Sequence, residues 1–281
     1  MTRWHLLALA TLVLVVSTAR PAAAQSTVVC DQNPATFPFL SVPNAATKTF
    51  VVGPNFWNAG VAGGQLCITV NNANGNFTVT TAPGSTPTTG GPAAYPFIFT
   101  GCHWGNCTNN SGMPIRVSNI GTANVTWNIV PKSSGQWNAT LDIWFDTAQF
   151  TEGQANGTEI MVWINHLGPP QPFGSLIASN VTISGAAWNV WHGVLSGSGV
   201  DWNVVSYVRV VPANSLGSPG APFDLRPIFA DCQARGFLDP NWWLHSIQAG
   251  FEPWQDALGL ASSGFSTTVQ AGGGGGNSTL R

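Results

Sequence analysis

The sequence has few charged residues: nine Lys and Arg and eleven Asp and Glu, or 7% of 281 residues. Its formal net charge at neutral pH is −2. Proteins that bind nucleic acid neutralise phosphates with clustered Lys and Arg, so this composition argues against a nucleic-acid partner. We expect neutral ligands instead. The 13 Trp residues suit sugars, whose C–H faces pack on aromatic rings.

Long apolar runs are missing after the N-terminus. Residues 1–24 resemble a secretory signal peptide, with Arg3 as the positive residue, an apolar run over Leu6–Val16 and the small residues Ala22–Ala24 before Gln25. The apolar run is too short to span a bilayer, which favours a cleaved signal over a membrane anchor. We therefore expect a secreted, extracellular protein with no membrane association after cleavage.

A metal-binding pattern is also missing, because the five His show no ligand spacing and there is no Cys-x-x-Cys. We expect no metal and no other cofactor. Five Cys in an exported chain indicate disulfides. Cys102 and Cys107 are spaced to close a small loop, and Cys30 and Cys67 would then join the N-terminus to a later strand. Cys232 is left as a buried free thiol on a helix.

Short strand-like runs dominate the chain, rich in Val, Ile, Thr and aromatics and bounded by Gly, Asn, Pro or Ser. They predict a β-sandwich or jelly roll. Phe223–Arg235 has helical spacing, with Gly236 as its C-cap. The predicted strands are Thr47–Val52, Gln65–Val70, Phe77–Thr81, Val125–Ile129, Ala139–Phe145, Glu159–Asn165, Ser179–Ile183, Ala187–His192, Trp202–Val211 and Ser263–Gln270.

The length after the signal peptide suits one large domain. We assign residues 25–270 to a single domain. Residues 271–281 contain five consecutive Gly followed by Asn-Ser-Thr, and they are predicted to be a flexible tail.

Glutamate is scarce, at positions 152, 159 and 252 only. Glu159 and Glu252 lie in apolar, aromatic runs, where a carboxylate is costly unless it has a use. Two such carboxylates, brought together by the fold, can form an acid/base or acid/nucleophile pair. Asp146 and Glu152 are expected to be solvated loop residues.

Strand alternation assigns two faces to each of three segments, and in each segment one face is apolar and suits a core. The opposite faces carry a carboxylate beside a Trp. They consist of Glu159, Met161 and Trp163; of Thr140, Asp142, Trp144 and Asp146; and of Gln248, Gly250, Glu252 and Trp254. A concave sheet built from these faces is a cleft lined by carboxylates and tryptophans.

Several motifs resemble glycoside hydrolase family 12, in the family's order, from about Cys30 to Val269. They are Thr158–Trp163 with Gly168–Pro172, similar to the nucleophile strand and loop; Ser246–Gln255, similar to the acid/base strand; Leu141–Trp144, similar to the segment of the auxiliary aspartate; Tyr95–Pro96 with Gly101–Thr108, similar to the disulfide loop; and Asn55–Trp57, similar to the substrate-stacking segment. Phe56 and Asn58 differ from the family's usual Leu and Gly, and Cys232 is outside its disulfide pattern.

The resemblance implies an all-β jelly-roll sandwich of two curved antiparallel sheets, with one helix packed on the convex side and a β-1,4-glucan chain on the concave side. It also implies a retaining double displacement with Glu159 as nucleophile and Glu252 as acid/base. Asp142 is expected beside Glu159, sharing a hydrogen bond with it. Retention needs carboxyl groups roughly 5–5.5 Å apart, which we expect facing positions on neighbouring strands to supply. We expect Trp254 and the negative nucleophile to raise the pKa of Glu252.

The resemblance further implies a set of substrate-binding residues. Trp57 and Trp104 are expected to stack on glucosyl rings in the minus subsites. His103 either binds a sugar hydroxyl or orders the disulfide loop. Met161 and Trp163 are expected to wall the cleft. The remaining members of the set are Asn55, Gln248 and Trp254.

The function these features predict is that of a monomeric endo-β-1,4-glucanase acting on cellulose-type and mixed-linkage glucans. A xyloglucan-specific endo-β-1,4-glucanase is the alternative within the enzyme class, because the same two carboxylates serve both substrates. A glucan-binding module without activity is the non-enzymatic alternative, although binding alone does not need two carboxylates on facing strands.

Overall fold

A computed structural model describes residues 25–44, 48–150 and 152–272. The predicted signal peptide lies outside these residues, and so does the predicted tail from residue 273 onward. Ala271, the first residue of that tail, instead ends the last strand. Within the described ranges, no helix is long and apolar enough to cross a membrane. The same ranges hold no group of three or more His, Cys, Asp or Glu that could bind a metal ion.

The described residues form mainly strands, as predicted. The strands are β1 Ser26–Gln32, β2 Leu40–Asn44, β3 Lys48–Gly53, β4 Gln65–Asn71, β5 Phe77–Thr81, β6 Phe97–His103, β7 Asn106–Cys107, β8 Ile115–Arg116, β9 Ile120–Val130, β10 Gln136–Asp146, β11 Thr158–Leu167, β12 Ser175–Ile183, β13 Ala186–Gly197, β14 Val200–Arg209, β15 Ser215–Leu216, β16 Phe223–Asp224, β17 Trp243–Gln255 and β18 Ala261–Ala271. The helices are α1 Ala59–Ala62 and α2 Arg226–Ala234. Strands β1, β2 and β6 and the two-residue strands β7, β8, β15 and β16 were not among the predicted runs.

Two sheets build the sandwich. The seven-stranded sheet has the order β1-β4-β5-β18-β9-β15, with β16 also on β9. The eleven-stranded sheet has the order β12-β13-β14-β11-β10-β17-β6-β3-β2, with β7 on β6 and β8 on β17. This arrangement confirms the predicted two-sheet fold. One pairing departs from the antiparallel rule, because β11 and β14 run parallel.

The core lies between the sheets and follows the predicted alternation. The eleven-stranded sheet contributes one apolar face of β10, β11 and β17, and the seven-stranded sheet contributes large buried rings such as Trp127 and Phe77. Phe251 of β17 joins the two sheets, since its ring contacts Phe77 edge-on at 6.1 Å and Trp127 at 5.7 Å. Burying each such side chain stabilises the fold by about 1.5–3 kcal/mol.

Helix α2 packs on the core side of the eleven-stranded sheet, opposite the concave face, which confirms its predicted position. Phe229 meets Phe145 edge-on at 5.2 Å, and the Tyr207 hydroxyl donates to Asp231 at 2.8 Å. The helix is shorter than predicted, because Phe223 and Asp224 pair with β9 instead. The one-turn helix α1 was not predicted.

Both predicted disulfides, Cys30–Cys67 and Cys102–Cys107, are present. Each joins directly opposed residues of an antiparallel pair, β1 with β4 and β6 with β7. Cys232 is a free, fully buried thiol on α2, as predicted.

Candidate active site

Three adjacent strands at the centre of the eleven-stranded sheet carry the predicted acidic residues. Asp142 lies on β10, Glu159 on β11 and Glu252 on β17. The expectation that Glu159 and Glu252 occupy neighbouring strands is wrong, because β10 lies between β11 and β17. Local alternation assigns a face to each residue, but it does not determine which strands pair.

The curvature of the sheet explains how these carboxyl groups interact. Glu159 lies opposite Trp144 and Glu252 lies opposite Asn138, six residues further back along β10. In a flat sheet that offset alone is about 20 Å. The charge of Glu252 nevertheless raises the pKa of both Glu159 and Asp142. The twist and coiling of a sheet bring diagonal corners together on its concave side, which brings such positions within electrostatic range.

The surroundings of Asp142 differ from the expectation. Its side chain is 5% exposed, and its strand neighbours are Met161 and Gln248. The Thr140 hydroxyl donates to Asp142 Oδ1 at 3.4 Å. Burial raises the pKa of Asp142, and the charges of Glu159 and Glu252 raise it further. Among the described residues no hydrogen bond joins Asp142 to Glu159, so the two carboxyl groups are coupled through charge instead of the expected shared bond.

Glu159 is 8% exposed and has a donor that the sequence did not suggest. The indole Nε1 of Trp202 on β14 donates to Glu159 Oε2 at 3.1 Å. Burial raises the pKa of Glu159 from 4.5, the Trp202 hydrogen bond opposes this, and the charge of Glu252 adds to it. A hydrogen bond to a carboxylate favours the ionised form, whereas desolvation favours the neutral form.

Glu252 is held by Asn138, the residue directly opposite on β10. The Asn138 amide oxygen accepts from the Glu252 backbone N–H at 3.2 Å, and its Nδ2 donates to Glu252 Oε2. Because the oxygen must face the N–H, the orientation of the amide is defined. Burial is the largest cause that raises the pKa of Glu252, and the Asn138 bond lowers it. The nucleophile's charge, which was expected from sequence to raise this pKa, is not among its causes.

Tyr95 is a further buried group beside the carboxyl groups that sequence reasoning did not assign to the site. Its hydroxyl donates to the Thr140 carbonyl oxygen at 3.2 Å. Burial raises the pKa of Tyr95, and the charges of Asp142, Glu252 and Glu159 raise it further. The neutral phenol therefore lies within the field of all three carboxyl groups.

Of the missed residues, only Asn138 had a usable signal in the sequence, since it shares the even-numbered face with Thr140 and Asp142. Trp202 lies on a strand whose cleft-facing positions carry no carboxylate, and Tyr95 lies outside the strands. Nothing local to Trp202 links it to the site, and Tyr95 entered the sequence analysis only as part of the motif similar to the disulfide loop.

Three of the predicted binding residues form an apolar wall. Met161, Trp163 and Trp254 are 2–5% exposed and pack together with Val204 and Val208 of β14. The rings of Trp163 and Trp254 lie 6.4 Å apart. Burial this complete fits the predicted wall of the cleft for Met161 and Trp163, and it gives Trp254 the same position.

Trp57 and Trp104 are the predicted binding residues with exposed rings, each 46% exposed. Asn55 and Trp104 adopt positive φ angles of 44° and 47°, which set tight local turns. Trp57 follows the end of β3 and Trp104 follows the end of β6. Because these two strands are antiparallel, the two rings lie beyond opposite ends of the strands and do not belong to one cluster.

The polar binding candidates have defined partners. The His103 ring contacts Trp144 at 5.3 Å and Phe99 at 6.3 Å. Burial and the nearby His245 lower the pKa of His103 to about 3, so its ring is neutral. Gln248 is buried, and its Nε2 donates to the Ser246 hydroxyl at 3.1 Å.

The expectation that Asp146 and Glu152 are solvated loop residues holds for only one of them. Glu152 is exposed, as expected. Asp146 is not a solvated loop residue, because it ends β10 and is 1% exposed. Its Oδ1 accepts from the Ala148 N–H at 2.8 Å. This hydrogen bond stabilises the turn that follows β10.

Comparison with known proteins adds an independent finding. The sequence model of Glycosyl hydrolase family 12 matches residues 48–270. The chain is 33% identical over 159 residues to the probable cellulase Cel12b of Mycobacterium tuberculosis, spanning 57% of this chain and 98% of that protein. It is 28% identical over 243 residues to the xyloglucan-specific endo-beta-1,4-glucanase A of Emericella nidulans, spanning 80% and 87%. Endoglucanase cel12A from Rhodothermus marinus superposes with a TM-score of 0.75 at 36% identity, over 87% and 99% of the two chains.

Proposed function

The chain belongs to glycosyl hydrolase family 12, and from this we propose that it is a retaining endo-β-1,4-glucanase acting on cellulose-type and mixed-linkage glucans. The observation that carries the proposal is a group of three electrostatically coupled carboxyl groups on adjacent strands of a concave sheet, with Asp142 and Glu159 buried and Glu252 half-buried. A glycoside hydrolase needs one carboxyl group that holds a proton and another that is ionised. Membership of a hydrolase family favours this reading over a non-catalytic glucan-binding module.

The proposed reaction has two steps. First, a Glu159 oxygen bonds to the anomeric carbon while the bond from that carbon to the bridging oxygen breaks, and the proton of Glu252 passes to the leaving oxygen. Water then attacks the same carbon, its proton passes to Glu252, and the ester bond to Glu159 breaks. Two inversions leave the anomeric configuration retained.

The raised pKa values support the assignment of a proton to this site. Because like charges in a desolvated site resist joint ionisation, the carboxyl cluster retains a proton at neutral pH. The reactive form is the one with that proton on Glu252. Asn138 stabilises the ionised form of Glu252, which suits its second role as a base, and Asp142 tunes the nucleophile through charge.

Substrate contacts are proposed from exposure. Trp57 and Trp104 present half-exposed rings for glucosyl stacking, while Met161, Trp163 and Trp254 form the wall. Asn55, His103 and Gln248 are the proposed polar contacts. Because Trp57 and Trp104 lie beyond opposite strand ends, we propose that they bind different parts of the glucan instead of adjoining rings.

The central test is Glu159→Ala assayed on carboxymethylcellulose and barley β-glucan. We expect release of reducing ends to be abolished while the wild-type circular dichroism spectrum is kept. Hydrolysis at the wild-type rate would exclude Glu159 as nucleophile. Proton NMR of the first products is expected to show the β-anomer, and the α-anomer would refute double displacement.

A xyloglucan-specific activity is the second candidate, supported by the likeness to the Emericella nidulans protein. Initial rates on xyloglucan and on mixed-linkage glucan at equal mass concentration separate the two candidates. We expect mixed-linkage glucan to be hydrolysed faster. A strong preference for xyloglucan would reverse the order of the two candidates.

We also propose that the protein is exported and acts as a monomer, with residues 25–270 as its catalytic domain. The signal-like pattern of residues 1–24 and the two disulfides support export. N-terminal sequencing of protein from a culture supernatant is expected to begin at Gln25. Size-exclusion chromatography with light scattering tests the monomer.

A further inference from the structure

Trp202 is the one side chain in the described structure that donates a hydrogen bond to the Glu159 carboxyl group. Its indole Nε1 lies 3.1 Å from Glu159 Oε2. Trp202 lies on β14, which pairs in parallel with β11 and places Val204 opposite Glu159. An indole N–H only donates hydrogen bonds and does not titrate in the physiological range. Trp202 can therefore hold the Glu159 carboxylate without exchanging a proton with it.

The Trp202 ring has two close neighbours. Its centre lies 6.1 Å from that of Trp144, the residue directly opposite Glu159 on β10. Its edge lies against Gly197 of β13, where an added Cβ would lie 3.2 Å from the Trp202 Cη2 atom. A larger residue at position 197 would therefore press on the ring and displace it slightly. Such packing pre-organises the N–H before a substrate arrives.

The charged and titratable groups around Glu159 come from several elements. Asp142 on β10 and Glu252 on β17 are coupled to it through charge, and the neutral Tyr95 hydroxyl lies in the same field. His103 on β6 lies beyond Trp144, with His245 beside it. None of the carboxyl groups stabilises a negative charge on Glu159, which leaves the Trp202 donor to do so.

We propose that Trp202 is a positioning residue for the nucleophile: its indole N–H, on a ring packed against Trp144 and Gly197, fixes the Glu159 carboxylate in one orientation for attack. The inference rests on the proposed function, since it takes Glu159 as the nucleophile. Trp202 acts through Glu159, and it is distinct from the exposed rings of Trp57 and Trp104 that are proposed to stack on sugar.

The test is the pH dependence of kcat/KM for Trp202→Phe on an aryl β-cellobioside. Phe keeps a ring against Trp144 but has no N–H. Loss of a hydrogen bond to a charged group is expected to move the acid limb upward by about one pH unit. We also expect kcat to fall about tenfold with little change in KM. An unchanged acid limb, or a raised KM with unchanged kcat, would overturn the proposal; the second result would mark a sugar-stacking residue instead.

Two further variants keep the test decisive. Gly197→Ala keeps the Trp202 indole N–H but places a methyl group against its ring. We therefore expect the acid limb of kcat/KM to move in the same direction as in Trp202→Phe, but by less. If Trp202→Phe does not fold, an unshifted acid limb in Gly197→Ala overturns the proposal. Trp191→Phe is the matched control, because Trp191 packs against the same apolar wall and among the described residues donates to neither Glu159 nor Glu252. Its acid limb is expected at the wild-type position.

Failure of this inference is separable from failure of the proposed function. If Glu159→Ala retains hydrolysis, the nucleophile assignment fails and the role of Trp202 fails with it. If Glu159→Ala is inactive while Trp202→Phe has a wild-type acid limb, only the inference about Trp202 fails.

Discussion

The two faces of β10, β11 and β17 are both largely buried, but only the cleft face carries carboxyl groups. The core face consists of Leu141, Ile143, Phe145, Ile160, Val162, Ile164, Ile247, Ala249 and Phe251, all with no exposed area. The cleft face of the same strands holds Asp142, Glu159 and Glu252. Alternate residues of one strand thus serve stability and chemistry separately. The cleft face keeps desolvated carboxyl groups that a fold selected for stability alone would not contain.

The largest difference between the faces is expected in activity. Glu252→Ala removes the proposed proton donor, and hydrolysis of barley β-glucan is expected to fall by about 10² to 10⁴. An aryl cellobioside with a good leaving group should lose less, because its departure needs less proton transfer. Thermal unfolding is expected at the wild-type temperature or above it, since a half-buried, desolvated carboxyl group is removed. A loss of stability with little loss of activity would show that Glu252 serves stability instead of activity, and it would contradict the division of roles between the two faces.

The second-largest effect is expected on the core face, where a substitution should reduce stability and leave activity nearly unchanged. Ile160→Ala, adjacent to Glu159 in sequence, is expected to reduce the free energy of unfolding by about 2–5 kcal/mol, because it leaves a cavity. Well below the unfolding temperature, kcat/KM should stay within about twofold of wild type if the faces are independent. Ile160→Val is the matched control, with an expected loss of about 0.5–1.5 kcal/mol. Chemical denaturation with parallel assays measures both quantities.

The smallest expected effect is a pH dependence of stability that arises from the cleft face. Folding raises the pKa of Glu252 from 4.5 to about 7 and that of Glu159 from 4.5 to about 8. Between the unfolded and the folded pKa values, the folded state binds more protons than the unfolded chain. The contribution of these two groups to the free energy of unfolding is therefore complete below about pH 4.5 and is lost as the pH rises through 7 to 8. We expect Glu159→Gln to show a smaller drop in unfolding temperature from pH 5 to pH 8 than wild type. An equal drop in both proteins would show that Glu159 does not contribute.

Sequence alone could assign faces because a strand has a period of two residues. Every core-facing and cleft-facing position predicted for β11 was confirmed, as Ile160, Val162 and Ile164 are in the core and Met161 and Trp163 are not. Strand order was beyond reach, since the insertion of β17 beside β10 depends on contacts across about 100 residues or more. The donors Trp202 and Asn138 each reach their carboxyl group from another strand, so neither contact could be predicted, although alternation did assign Asn138 to the cleft face.

The placement of the last two strands has a consequence for how the chain folds. β17 lies between β10 and β6, and β18 lies between β5 and β9, so both sheets stay divided until residues 243–271 are in place. The contact between Asn138 and Glu252 closes a loop of 114 residues. Contacts of such long range slow folding, because the loop-closure entropy is lost before the contacts form. A growing chain therefore has no cleft, and catalytic competence arises only when the final strands join both sheets.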